Sequence, residues 1–265
     1  DDAELWAIER HGYRGMAETN DDPRQRVAAA KHLERFRTRK RDFGIGAEAD
    51  LKGIEHTNCL IDEAITDIGR DWTCDVFFAA ERDYWLRRNT AARVQKARQE
   101  RLGLGWGNHD THRYRCSRRN YEQVIAIFEK LGFYCRERFF AGQDARWGAQ
   151  VLEQPITHIV ILADVDMSAD EMQSDFTHTG FEVEQAASNS ASGDKPDVGT
   201  VGLWCELHGE SLLQAGMHHL EALCDHHLLI EQLETENEIK TMDPHTTLPH
   251  LRQAFTHGEM WPVRP

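Results

Sequence analysis

The segment from residue 109 to 166 limits the fold more than any other part of the chain, because its apolar residues change period in a fixed order. His112-Arg113-Tyr114-Arg115-Cys116 alternates like a strand. Asn120 stands where a helix cap belongs. It precedes an amphipathic helix bearing Val124, Ile125, Ile127, Phe128 and Leu131, which Gly132 ends. Three strand-like runs follow, residues 133–140, 147–153 and 158–165, with turns at 141–146 and 154–157. Strand, helix and three short-linked strands describe an α+β body with a bent mixed sheet.

The flanks read differently. Asp22-Pro23 is a helix start, with Asp22 as cap and Pro23 in the first turn. Val27, Ala30, Leu33 and Phe36 then recur at helical spacing as far as Gly44. Further helices are expected over 48–68, stopped by Gly69, and from Thr73 towards Leu102. Gly103, Gly105 and Gly107 mark a hinge. The division is therefore an N-terminal all-helical arm over 1–107 and an α+β body over 108–265. Phe77, Phe78, Tyr84 and Trp85 crowd one stretch of the arm, more apolar surface than a free arm should expose, so a homodimer through the arm is expected. The run Arg35, Arg37, Arg39, Lys40, Arg41 reads as a solvated helix face.

Beyond the body's first strands, 167–176 looks helical and 188–197 is a Ser/Gly/Asn-rich surface loop. Residues 198–208 and 212–221 read as a hairpin turning at Gly209-Glu210. A helix over 225–241 and an irregular tail complete the chain.

A formal net charge of -14 argues against nucleic acid or an anionic membrane surface as partner. No apolar run approaches the ~20 residues of a bilayer span. The six cysteines form no C-x-x-C pair and suit reduced thiols. The acidic start, Asp1 to Glu4, is unlike a secretory signal. The expected compartment is the cytoplasm, or an organelle matrix if an upstream targeting segment has been removed. G-x-S-x-G, P-loop and Rossmann fingerprints are all missing from the sequence.

The body resembles the vicinal-oxygen-chelate superfamily of glyoxalase I and extradiol dioxygenases. Three features carry the likeness: the strand-helix-strand-strand-strand order, the helix closing in Leu131-Gly132-Phe133, and the next strand leading to Ala141-Gly142. Glyoxalase-like sequences place a metal-binding His about twenty residues before that glycine, which here is His112. The fourth strand, where the family uses a Glu ligand, offers Asp164 and Asp166 instead. The likeness covers 109–166.

What the resemblance implies is a curved sheet whose concave face gathers ligands around a divalent metal, Fe²⁺ first, with Mn²⁺, Ni²⁺ or Zn²⁺ as alternatives. The expected metal ligands are His112, His208, His219 and Glu221, with Glu206 and Glu221 as proton-moving catalytic carboxylates. Trp204, Glu206 and His208 alternate on one expected strand, and Met217, His219 and Glu221 on the next; which of them point inward stays open. Gln150 could face the same cavity. The implied function is a metal-dependent enzyme, of dioxygenase or isomerase/lyase type, chelating vicinal oxygens of a small-molecule substrate. The alternatives are a non-catalytic structural or assembly subunit and a small-ligand binding protein.

Overall fold

Asp22 and Pro23 begin the first helix, α1 (Pro23–Thr38), where the Asp22 carboxylate accepts from the Arg24 amide at 2.9 Å. The computed structural model describes residues 22–88, 111–181, 199–217 and 219–221, together with 16, 90, 93, 96 and 97. The expected glycine hinge, the 188–197 loop, the 225–241 helix and the tail lie outside them. α1 buries Ala29, His32 and Phe36, a face rotated from the expected one, and Val27 is 71% exposed. α2 (Ala47–Ile68) ends at Gly69, whose φ of 80° suits glycine. α3 (Arg70–Arg88) follows at once.

The chain then runs β1 (Thr111–Arg115), α4 (Tyr121–Lys130), β2 (Tyr134–Phe140), β3 (Trp147–Glu153) and β4 (Val160–Asp166), the expected order with boundaries close to those expected. The fold is α+β. With β5 (His219–Glu221) the strands lie in the order β2-β3-β4-β1-β5. β1 is parallel to β4 and antiparallel to β5, and the other pairs are antiparallel, so the sheet is mixed.

Alternation along the strands gives the sheet two faces. His112 and Tyr114 of β1, with Ile161, Ala163 and Val165 of β4, are buried and belong to the helix-side face. Phe78 of α3 seats there. Its ring centroid lies 5.2 Å from His112, 6.3 Å from Tyr114, 6.4 Å from Phe128 and 5.4 Å from Phe133. One hydrophobic cluster runs from Phe36 through Phe77 and Phe78 to the sheet. The N-terminal helices therefore cover the sheet rather than standing away from it.

The aromatics that suggested a homodimer are spent inside the chain. Phe77 and Phe78 are fully buried, Trp85 nearly so, and the Tyr84 hydroxyl donates to the Gln214 carbonyl at 2.5 Å. Surface economy no longer calls for a partner. A fragment beginning at residue 108 would expose Tyr114, Phe128 and Phe133, and is expected to aggregate. A soluble, monomeric fragment with native-like far-ultraviolet circular dichroism would overturn this.

The basic run departs most from expectation. Arg35 and Arg37 pair with Glu63 and Asp83 near the surface, but Arg39 and Arg41 are buried. Both guanidinium groups meet the fully buried Glu81 carboxylate, Arg39 at 3.0 Å and Arg41 at shorter range. Arg39 also donates to the Leu212 carbonyl at 2.5 Å and Arg41 to that of Leu213 at 3.1 Å. This triad clasps the turn Ser211–Ala215, whose orphan carbonyls need donors because Leu213 leaves helical geometry.

The segment expected as a strand over 198–208 is a helix, α6 (Thr200–His208), where α5 (Phe176–Thr179) is the short helix before it. Alternation misled here, because Leu203 and Leu207, assigned to a core face, are 49% and 70% exposed. The buried pair is Val201 and Cys205, one helical turn apart. The cap comes from a distant strand: Asp166 accepts from the Val201 and Gly202 amides at 3.0 and 2.5 Å. A Cβ on Gly199 would stand 2.3 Å from the Asp166 carboxyl carbon. Gly199→Ala should therefore displace the cap and cost about 1 kcal/mol, measurable by urea unfolding. A neutral substitution would count against it. The second expected strand, 212–221, survives only as β5, and the helix expected over 167–176 is a single 3₁₀ turn, Glu171–Gln173.

Candidate functional site

The residues expected to hold a metal do not form one described cluster. His112 is fully buried on the helix side, edge-on to Phe78, with Arg82 Nη1 3.5 Å from its Nε2. Glu206 and His208 are exposed on α6, so the expected strand-borne cluster with His219 and Glu221 is corrected. The cause is the α6 cap, which turns the alternating pattern into a helix surface where the His208 ring lies 5.3 Å from that of Trp204, tilted by 48°. β5 pairs His219 with Arg113, Leu220 with His112 and Glu221 with Thr111. Positions 219 and 221 thus have the opposite parity to 112 and the same parity as 113. Gln150 is buried and engaged: its Nε2 donates to the Glu137 carbonyl at 2.8 Å, and its Oε1 accepts from Thr177 at 2.9 Å.

The second face of the sheet is charged, which the sequence reading overlooked because it followed the histidines. β1 places Arg113 and Arg115 there, and β4 places Asp164 and Asp166. Arg113 Nη2 lies 3.1 Å from both Asp164 oxygens, and both groups are buried. Its guanidinium stands 5.3 Å from the Trp147 ring centroid, and that of Arg115 stands 4.9 Å from Trp204 on α6. Burial lowers the Arg115 pKa, opposed by Asp164, and raises that of Asp166, opposed by the Gly202 and Val201 amides. The alternating Arg113-x-Arg115 was the available signal, since two charges at one parity of a central strand must share a face.

A third arrangement sits where α4, β2 and α5 meet. Glu129 is in the last turn of α4, Cys135 is the second residue of β2 and His178 lies on α5. One ligand atom from each falls within 4.8 Å of the others. His178 Nε2 is 2.9 Å from Glu129 Oε1, and the Cys135 Sγ donates to the same oxygen at 3.9 Å. His178 Nδ1 faces Asp175, 3.2 and 3.1 Å from its two oxygens, and Arg138 Nη2 donates to Asp175 Oδ1 at 3.1 Å. Burial pushes the Cys135 thiol up to about 11, with Glu129 adding to it. Hydrogen bonds to Glu129 and Asp175 raise the His178 imidazole.

No helix among the described residues is long and apolar enough to cross a membrane. Comparisons of the chain with protein-family models, with curated proteins and with solved structures give no match.

Proposed function

We propose that the chain is a small-ligand binding protein on a vicinal-oxygen-chelate-like module, and that its ligand is a small anion held at the sheet face of Arg113 and Arg115. The carrying observation is that β1 directs two guanidinium groups to that face, each over an indole, with Arg113 anchored on Asp164 and Arg115 nearer the surface. Stacking fixes the planar fork and desolvates it, which favours pairing with a carboxylate or phosphate. The element order and the mixed sheet support the likeness to the module. β1 turns His112, the family-like ligand, to the opposite face, and the two guanidinium groups on this face offset the pull that Asp164 and Asp166 would exert on a dication. Anion binding therefore fits better than the metal-dependent dioxygenase or lyase.

The test uses tryptophan emission from the full chain, titrated with inorganic phosphate and with oxalate. Saturable quenching by at least one probe at millimolar concentration or below is expected, with affinity reduced about tenfold in Arg115→Ala, roughly the worth of one charge-assisted hydrogen bond. No saturable change with either probe, or an unchanged affinity in Arg115→Ala, would sink the proposal.

A further inference from the structure

We propose that Glu129, Cys135 and His178 form a zinc site, with Asp175 positioning the imidazole. Three separate elements deliver a thiol, an imidazole and a carboxylate to one point. The imidazole of His178 and the thiol of Cys135 converge on one carboxylate oxygen, Glu129 Oε1, which is the convergence a metal ion needs. Around a tetrahedral Zn²⁺, with bonds of about 2.0–2.3 Å, neighbouring ligand atoms stand about 3.3–3.6 Å apart. The observed separations, 2.9 Å for nitrogen to oxygen and 3.9 Å for sulfur to oxygen, bracket that range, so small side-chain rotations admit the ion.

The surroundings are those a zinc-bound histidine needs. With Nδ1 donating to Asp175, Nε2 is the nitrogen left for the metal, and the carboxylate fixes tautomer and ring orientation. Arg138 neutralises Asp175 in turn and is held by the Ser174 carbonyl at 2.7 Å. Thiolate plus imidazole selects a borderline ion such as Zn²⁺ over Mg²⁺ or Ca²⁺, which want oxygen alone. Binding converts the Cys135 thiol to thiolate and releases its proton to solvent. The thiolate and the Glu129 carboxylate then balance the two charges of the ion. Three protein ligands leave a fourth position for water or another donor.

The ion would fasten α5 to the end of α4 and the start of β2. The experiment loads Co²⁺ on the reduced full chain and follows the thiolate-to-cobalt charge-transfer absorption, alongside Zn²⁺ competition. One stoichiometric band is expected, displaced by Zn²⁺ and lost in Cys135→Ser. His178→Ala should weaken affinity at least tenfold, and Asp175→Asn about 10–100-fold while leaving the band in place. Circular dichroism of the metal-free variants must match the parent, which separates lost ligation from lost fold. Weak binding without the thiolate band, a band that survives Cys135→Ser, or indifference to His178→Ala would each overturn the site.

Discussion

Glu81→Ala is expected to cost about 3–5 kcal/mol of folding stability, the largest effect of any single charge removal in the described structure. Glu81 is the carboxylate shared by Arg39 and Arg41, and all three side chains are shut away from water. Removing it leaves two like charges facing each other in the interior, with Tyr114 deprived of the acceptor its hydroxyl reaches at 3.4 Å. Glu81→Gln keeps the shape and one acceptor but not the charge, so its loss should fall between alanine and the parent. Urea unfolding followed by circular dichroism reads both. A loss below about 1 kcal/mol for the alanine variant would mean that the clasp is not holding the helices to the 211–215 turn.

The same carboxylate sets an acid limit. Burial acts to raise its pKa, but Arg41 and Arg39 outweigh burial and the net shift is downward. A folded pKa below the unfolded one gives stability that is present above the unfolded value, 4.5, and disappears as pH falls through the folded value. The parent should therefore lose stability in acid more steeply than Glu81→Gln does.

Phe78→Ala should be nearly as damaging, about 3–5 kcal/mol, through a different mechanism. The ring is fully buried between α3 and the sheet and touches His112, Tyr114, Phe128 and Phe133, which come from three separate elements or their ends. Close packing on all sides limits collapse into the vacated volume. Phe78→Leu, which fills much of that volume, should recover most of the loss. Tyr114 touches both Phe78 and Glu81, so the double variant is expected to be non-additive. Strict additivity would show that the two sites do not communicate through that tyrosine.

The β1-α4-β2-β3-β4 order could be read from the sequence because each element there announces itself locally: Gly132 ends a strongly amphipathic helix, and 141–146 and 154–157 are too polar and short for anything but turns. The α6 region could not be read, since its cap is supplied by Asp166, more than thirty residues away. Without that carboxylate in view, Trp204-Cys205-Glu206-Leu207-His208 is a better strand than helix. Burial of Arg39 and Arg41 was equally invisible. Their acceptors are main-chain carbonyls at 212 and 213, and any residue supplies a carbonyl. The site reading began from histidines, whereas the structure places His112 in the core and gathers His178 with a cysteine and a glutamate whose spacing in the chain, 129, 135 and 178, matches no motif.

The clasp around Glu81 also has a timetable. Arg39 and Arg41 leave the ribosome 173 and 172 residues before Leu212 and Leu213, the carbonyls that complete their shells. At about 5–20 residues per second, roughly 10–30 s separate the two events. Throughout that interval the nascent helices carry a half-coordinated pair of cations where their interior will be. Their docking onto the sheet, which itself awaits residue 166, has little to gain from closing early. Translation rate and chaperone occupancy on the N-terminal segment should therefore weigh on the yield of folded chains, and a ribosome stalled before residue 212 would present an aggregation-prone intermediate.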